Sequence, residues 1–273
     1  MTGSVIVLKW GGSLITDKSS LCVARTGIIE GLSSISARLR SAGHDLIIVH
    51  GAGGFGHLRA RRWRLDEGKR AEMKMDRDGI TQEDAVRMVR DDMLSLNRIV
   101  VSSLVEHGLD AVPLPPHLHG RGLGLDHTLP EDLRVLLDAG QVPVLYGDVV
   151  DCEPPMSFGI LSGDDICALL CRELEDVRHL IFAIGGVDGL LSEPDAVDSS
   201  SLLSVHTLDS PIETATVSDD VTGGMDLKLR RAGDALLHCA RVSLVNGETP
   251  QRILDAVRGM EFIGTEILAA YPE

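Results

Sequence analysis

Positive charge is scarce in this 273-residue chain. Its five lysines are Lys9, Lys18, Lys69, Lys74 and Lys228, and 26 Lys and Arg face 41 Asp and Glu, for a formal net charge of -15. So acidic a surface opposes loose association with nucleic acid or an anionic membrane, and neither is expected as a partner. An anionic ligand must instead be held by a local group of cations and backbone N–H donors, which gives weight to lysines beside glycine turns. Long apolar runs are also lacking. None reaches the roughly 20 residues that span a bilayer, and Met1-Thr2-Gly3-Ser4 leads into a strand rather than the apolar core of a secretory signal. A soluble cytoplasmic enzyme is expected. The five cysteines, Cys22, Cys152, Cys167, Cys171 and Cys239, are scattered and odd in number, which argues against a disulfide framework. Cys167 and Cys171 are four apart on a predicted helix, but no second Cys/His pair at zinc-site spacing accompanies them. They are read as buried thiols, and no metal ligands are assigned.

What is present is an alternation of apolar, β-rich runs with amphipathic helical stretches. Strands are predicted near 4–9, 45–50, 110–113, 142–146, 178–184 and 241–245, and helices near 26–42, 83–107, 130–139, 163–175, 224–238 and 249–257. This pattern implies an α/β fold with a mostly parallel sheet covered by helices on both faces. Residues 147–161 look like a β-hairpin. The loop-rich segment 185–222 is expected to be a mobile flap or a lobe junction. Arg87, Arg90, Asp91 and Asp92 lie mostly off the apolar stripe Val86, Val89, Met93, Leu96 and Val100 and read as a solvated face.

Two glycine turns follow buried strands. Gly11-Gly12-Ser13 follows Val5-Ile6-Val7-Leu8-Lys9, and Gly51-Ala52-Gly53-Gly54-Phe55-Gly56-His57 follows Leu46-Ile47-Ile48-Val49-His50. Such turns let backbone N–H groups approach an anion, and a helix starting there adds its dipole. Two of them suit two phosphates, and ligands of open α/β sheets bind outside the carboxyl ends of strands. Lys9 at a buried strand end has no easy structural explanation, because lysine is almost never buried unpaired. Lys18 reads equally as a surface lysine, His57 as a ligand or a helix cap, and His50 as structural. Asp164 and Asp165 also fit as first-turn acids. His117, His119, Asp126 and His127 match no metal spacing and are expected to be exposed loop residues. Trp63 either lines the acceptor site or caps a helix. The run Gly12 to Ser19 nearly spells a Walker A loop, but Asp17 stands where glycine must precede lysine, which excludes a P-loop.

Further motifs follow in order: Tyr146-Gly147-Asp148-Val149-Val150, Leu161-Ser162-Gly163-Asp164-Asp165, Gly186-Val187-Asp188-Gly189 and Val221-Thr222-Gly223-Gly224-Met225-Asp226-Leu227-Lys228. With the two glycine turns they resemble the amino acid kinase superfamily over nearly the whole chain, and within it the isopentenyl phosphate kinases, with fosfomycin kinases second. The resemblance implies a three-layer α-β-α sandwich like that of acetylglutamate and carbamate kinases. It implies one continuous domain over 4–268, with an acceptor-binding lobe in 1–175 and an ATP-binding lobe in 176–273, and a homodimer. By the same resemblance Lys9, Lys18, His57 and Asp165 are catalytic, with Asp165 orienting the two N-terminal lysines. Gly11, Gly12, Ala52, Gly53, Gly54, Gly56, His57, Ser162 and Gly163 bind the acceptor. Lys9, Gly12, Ser13, Lys18, Asp188, Gly189, Gly223, Gly224 and Lys228 bind ATP, with Mg²⁺ as its companion.

The implied activity is transfer of phosphate from ATP to a small phosphate monoester, with isopentenyl phosphate first among acceptors. A phosphonate, a carboxylate or carbamate, or a nucleotide-binding regulator without turnover are the alternatives. Two departures matter. Gly185-Gly186 replaces the family's Thr-Asp before Val187-Asp188-Gly189, and Arg59, Arg61 and Arg62 replace a lysine-rich stretch, which raises the prospect of a more anionic acceptor. A monoester acceptor is largely deprotonated near neutral pH, its second pKa being about 6. His57 is then a hydrogen-bond donor rather than a base. Replacing Lys18 by Met is expected to lower kcat on the best acceptor by about a hundredfold or more, as loss of a preorganised contact to developing charge does. Steady-state rates of the folded variant test this, and a near-normal kcat refutes it.

Overall fold

The computed structural model describes residues 4–17, 19–192, 201–210 and 224–269. Six parallel-type strands appear where apolar β-branched runs predict them: β1 (Val5–Trp10), β2 (Asp45–His50), β3 (Ala111–Pro113), β4 (Val142–Tyr146), β7 (Val177–Ile184) and β9 (Arg241–Asn246). The expected hairpin is formed by β5 (Asp148–Asp151) and β6 (Phe158–Leu161), a separate antiparallel pair. Two short strands were not anticipated, β8 (Val205–Thr207) and β10 (Gly264–Leu268). Three residues at an edge, and five with Glu266 in their middle, carry too little alternation to be read as strands. They complete an eight-stranded sheet in the order β3-β4-β2-β1-β7-β9-β10-β8, parallel throughout its described pairings except for β9 with β10.

Alternation along the strands divides the core in two. Ile6, Leu8 and Trp10 of β1 face one layer, with Ile48 of β2 and Val144 of β4. Helices α2 (Thr26–Ser41), α4 (Gln82–Glu106) and α9 (Gln251–Val257) cover it through Ile29 and Leu32, Val89 and Met93, and Ile253. Val5 and Val7 face the other layer with Val49 and Phe182. There α6 (Leu133–Asp138), α7 (Gly163–Glu173) and α8 (Gly224–Leu236) supply Leu137, Cys167 and Ala232. This is a three-layer sandwich. Lys9 lies in register with Val5 and Val7, so period 2 sends its side chain toward α7. The remaining short helices are α1 (Gly12–Ile15), α3 (His57–Arg62) and α5 (Pro116–His119).

β1 pairs with β2 on one side and β7 on the other, so the sheet is continuous across residue 175. The chain reverses its direction of progress through the sheet at this point, and the crevice at such a switch is where open α/β sheets bind ligands. Of segment 185–222, residues 193–200 and 211–222 lie outside the described residues; Val205–Thr207 within it is the edge strand β8.

Two buried histidines mark the sheet. His50 stacks on Tyr146 at 5.0 Å and its Nε2 meets Asn97 Oδ1 at 3.2 Å. It is structural, as expected, and burial pushes its pKa down to about 4. His179, against Ser243 Oγ at 2.9 Å, is pushed by burial down to about 3. Both are neutral in the folded protein near pH 5, whereas a histidine in the unfolded chain takes up its proton near pH 6.5. The unfolded state therefore binds more protons between pH 6.5 and 4, and stability falls as pH falls through that window. About 1 kcal/mol per pH unit for each histidine is expected. Urea midpoints at pH 7 and pH 5 check the sign, and an unchanged midpoint contradicts it.

Candidate active site

The two glycine turns touch. A methyl group on Gly12 would meet Gly53 Cα at 2.9 Å and collide with its nitrogen. Gly53 has φ +50, a left-handed conformation that favours glycine. Thr16, which ends α1, stitches the turns together: its hydroxyl donates to Gly12 O at 2.7 Å and accepts from Gly54 N at 2.9 Å. No sequence argument singled out Thr16, whose role depends on two turns separated by about forty residues. Ser13 lies in α1, and Gly11 N donates to Ala183 O at 2.8 Å, tying the first turn to β7. Ala52 to Gly56 form a short 3₁₀ turn and its caps, after which His57 opens α3. His57 thus stands at the end of the second turn, as expected.

Across from these turns Lys9 Nζ lies 2.9 Å from Asp164 Oδ1, and Lys228 Nζ lies 2.9 Å from Asp164 Oδ2. All three residues are buried. Lys228 also sits 4.8 Å over the Phe182 ring, a cation–π contact on the floor of the site. Burial alone would raise the Asp164 pKa, but the charges of Lys228 and Lys9 outweigh it and hold the carboxyl well below the usual range. Burial lowers the Lys228 pKa, and Asp164 opposes that. Gly163 makes room for the cluster: a methyl there would lie 3.3 Å from Lys9 Cε.

The carboxylate that Lys9 and Lys228 share is Asp164 rather than Asp165, which for Lys9 corrects the expectation drawn from the SGDD run; Lys18 lies outside the described residues. Asp165 Oδ2 accepts from Ser162 N at 3.1 Å and its Oδ1 from Arg231 Nε at 2.6 Å. Ser162 Oγ in turn accepts from Asp164 N at 3.2 Å. Ser162 and Asp165 form the capping box that begins α7. The S-x-x-D spacing was the available signal: it commits Asp165 to the helix end and leaves Asp164 for the lysines. Arg231, which sequence reasoning missed, is three residues beyond Lys228 on α8.

Lys18 and Gly223 lie outside the described residues. Gly224 begins α8. Asp188 accepts from Asn246 Nδ2 at 3.1 Å and from Arg252, an ion pair whose hydrogen bonds hold its carboxyl below the ordinary value. Gly189 packs against Thr265, whose hydroxyl accepts from Leu190 N at 2.8 Å and donates to Leu203 O at 2.6 Å. Arg59 is paired with Asp92 at 3.2 Å, and Arg62 with Asp76 at 2.7 Å. Arg90 also departs from the expected solvated face: it donates to Val149 O and pairs with Asp151, each at 2.7 Å. Trp63 caps α3 and is buried in the core. The loop histidines are not exposed as a group. His117 Nδ1 lies 2.6 Å from the buried Asp148 Oδ2 of the hairpin, and His127 is buried within its own loop, its Nδ1 3.1 Å from Gly122 O. No group of three potential metal ligands occurs among the described residues.

The Amino acid kinase family description matches residues 4–246. The chain belongs to this family. It is similar to the isopentenyl phosphate kinase of Thermoplasma acidophilum, 32% identical over 265 residues, 96% of this chain and 100% of that protein. The isopentenyl phosphate kinase of Methanothermobacter thermautotrophicus is 30% identical over 270 residues, 96% and 98% of the two chains. The crystal structure of the T. acidophilum isopentenyl phosphate kinase product complex superimposes with a TM-score of 0.77 at 29% identity, covering 97% of this chain and 100% of that one.

In this amino acid kinase two lysines, one from the central strand β1 and one from helix α8, share one carboxylate beside a pair of glycine turns. The arrangement offers positive charge and N–H donors to an anion without a general base. Replacing Asp164 by Asn leaves two buried ammonium groups without their counter-charge. Breaking a buried pair by removing one partner costs about 3–5 kcal/mol, and kcat is expected to fall by on the order of a hundredfold as the lysines lose their positions. Thermal melts and steady-state kinetics on the same preparation check both effects; wild-type kcat in Asp164→Asn contradicts the shared-carboxylate role.

Proposed function

We propose that the protein transfers the terminal phosphoryl group of ATP to isopentenyl phosphate, giving isopentenyl diphosphate. The observation that carries this reading is the convergence of Lys9 and Lys228 on Asp164 at the end of β1, next to the contact between Gly12 and Gly53. The near full-length similarity to isopentenyl phosphate kinases supports the choice of acceptor.

Phosphoryl transfer asks mainly for alignment of donor and acceptor oxygens and neutralisation of the equatorial ones. In this reading Lys9, with Lys18, faces the transferring group, and Lys228 with Gly223 and Gly224 holds the donor phosphates. Gly53, Gly54, Gly56 and His57 hold the acceptor phosphate, which brings its own negative charge as nucleophile. The binding of ATP includes Asp188 and Gly189 at the end of β7. Magnesium is expected to accompany the nucleotide, but Asp164 and Asp165 are both tied to cations. The described residues form no cage of three or more ligands for the ion.

Two observations favour a short apolar tail over a second anionic group. Two of the three arginines that would recognise such a group, Arg59 and Arg62, are already matched to Asp92 and Asp76. Phe158 and Ile160 of β6 pack with the apolar layer that includes Val86, Val89 and Met93 of α4, while Leu161 faces the opposite layer. Phe158 and Ile160, on the layer that Gly56 of the second turn meets at Met93 and Val89, are the tail contacts in this reading. Each methylene buried there contributes about 0.8 kcal/mol.

A coupled assay with isopentenyl phosphate, dimethylallyl phosphate and fosfomycin side by side tests the proposal. Turnover is expected on the prenyl phosphates, and its absence on both eliminates the reading while leaving the family assignment intact. His57→Ala is expected to lower kcat/KM for the acceptor by about a hundredfold, the scale of a lost contact to developing charge, with ATP affinity nearly unchanged. Loss of ATP affinity in this variant instead would place His57 on the donor side.

A further inference from the structure

Arg231 is buried down to 20% side-chain exposure, and its ion pairs among the described residues are with carboxylates alone. Its Nε pairs with Asp165 Oδ1 at 2.6 Å, and its Nη1 with the more exposed Asp234 at 2.8 Å. Asp165 is the neighbour of Asp164 in the first turn of α7, and Arg231 is one helical turn from Lys228 on α8. The two helices thus meet through two parallel ion pairs, Asp164 with Lys228 and Asp165 with Arg231.

The charges of this contact are divided unevenly between interior and surface. Lys9, Lys228 and Arg231 face three carboxylates, of which Asp164 and Asp165 are buried while Asp234, on the other nitrogen of Arg231, is 37% exposed. Without the guanidinium, the two buried carboxylates, each under 10% exposed, would confront the two lysines alone. Asp165 would then compete with Asp164 for Lys228, drawing its ammonium away from the position beside Phe182. Asp165 cannot simply turn away, because its other oxygen is committed to Ser162 N at the helix end.

We propose that Arg231 is a positioning residue for the nucleotide-side lysine: by neutralising Asp165 it leaves Lys228 to Asp164 and keeps its ammonium where a polyphosphate would meet it. This rests on the reading above in which Lys228 holds the donor phosphates, but not on the identity of the acceptor.

Calorimetric titration of ATP into the intact protein, without acceptor, tests it together with kcat and KM for ATP. Arg231→Ala is expected to weaken ATP binding by about tenfold, within the range of couplings between residues of one charge network, while KM for the acceptor stays near wild type. Arg231→Lys restores part of the affinity, since it returns the charge but not the fork geometry. The decisive variant is Arg231→Ala combined with Asp165→Asn. Removing both members of the pair again leaves two lysines on one carboxylate, and ATP affinity is expected to recover to within about threefold of wild type. If Arg231→Ala lowers only the melting temperature and leaves ATP binding intact, or if the double variant binds no better than the single one, the proposal is overturned. Absence of ATP binding by the wild type overturns instead the functional reading on which it stands, and the proposal with it.

Discussion

Asp164 is the point on which this molecule depends. A lone carboxylate so deeply buried would be expelled or protonated, and either lysine alone would be as costly there. Each is tolerated because the other two are present: Lys9 on one oxygen, Lys228 on the other, both at 2.9 Å. A buried ion network is weak evidence for stability, since well-packed apolar side chains in its place often do as well. Its presence at strand ends is better explained by what it holds in readiness, two ammonium groups fixed before any ligand arrives. Preorganised charge of this kind need not rearrange during the reaction.

The sheet puts those three residues within reach of one another. Lys9 ends β1, Asp164 opens α7, and Lys228 comes from α8, beyond the segments that follow β7. β1 runs between β2 and β7, and α7 lies across the face toward which period 2 directs Lys9. On the other side of the crevice, Gly12 and Gly53 approach so closely that neither tolerates a side chain, with Thr16 bridging them. The interlocked turns and the lysine cluster gather at the same strand ends, and each depends on pairing between distant parts of the chain.

Much of this was legible from the residues. The β-branched runs at 4–9, 45–50 and 178–184 located the central strands because buried parallel strands need continuous apolar sequence. Lys9 stood out for the same reason, a charge where only apolar residues belong. The glycine turns were visible as strand-end punctuation. Errors arose where a residue's meaning depends on a distant neighbour. Asp165 resembles the family's lysine partner, yet its capping-box spacing assigns it to the helix end; His117 and His127 read as solvent-exposed, yet Asp148 holds the one and the loop at Gly122 buries the other. Arg59 and Arg62 read as anion receptors until Asp92 and Asp76 appeared beside them. β8 and β10 are too short for their periodicity to register.

Composition, periodicity and ordered motifs by themselves determined the layered α/β class, the central strands, the two phosphate-sized turns and the lysines worth watching. Those features are local: a strand, a glycine turn or a buried charge declares itself within about ten residues. Only the tertiary structure decided which carboxylate joins Lys9 to Lys228, that the turns lock through Thr16, and that Arg231 balances Asp165. Such pairings are set by the register of strands and the seating of α7 against α8. Hydrogen bonds and ion pairs act over about 3 Å, and no local pattern records which distant groups folding will bring within that distance.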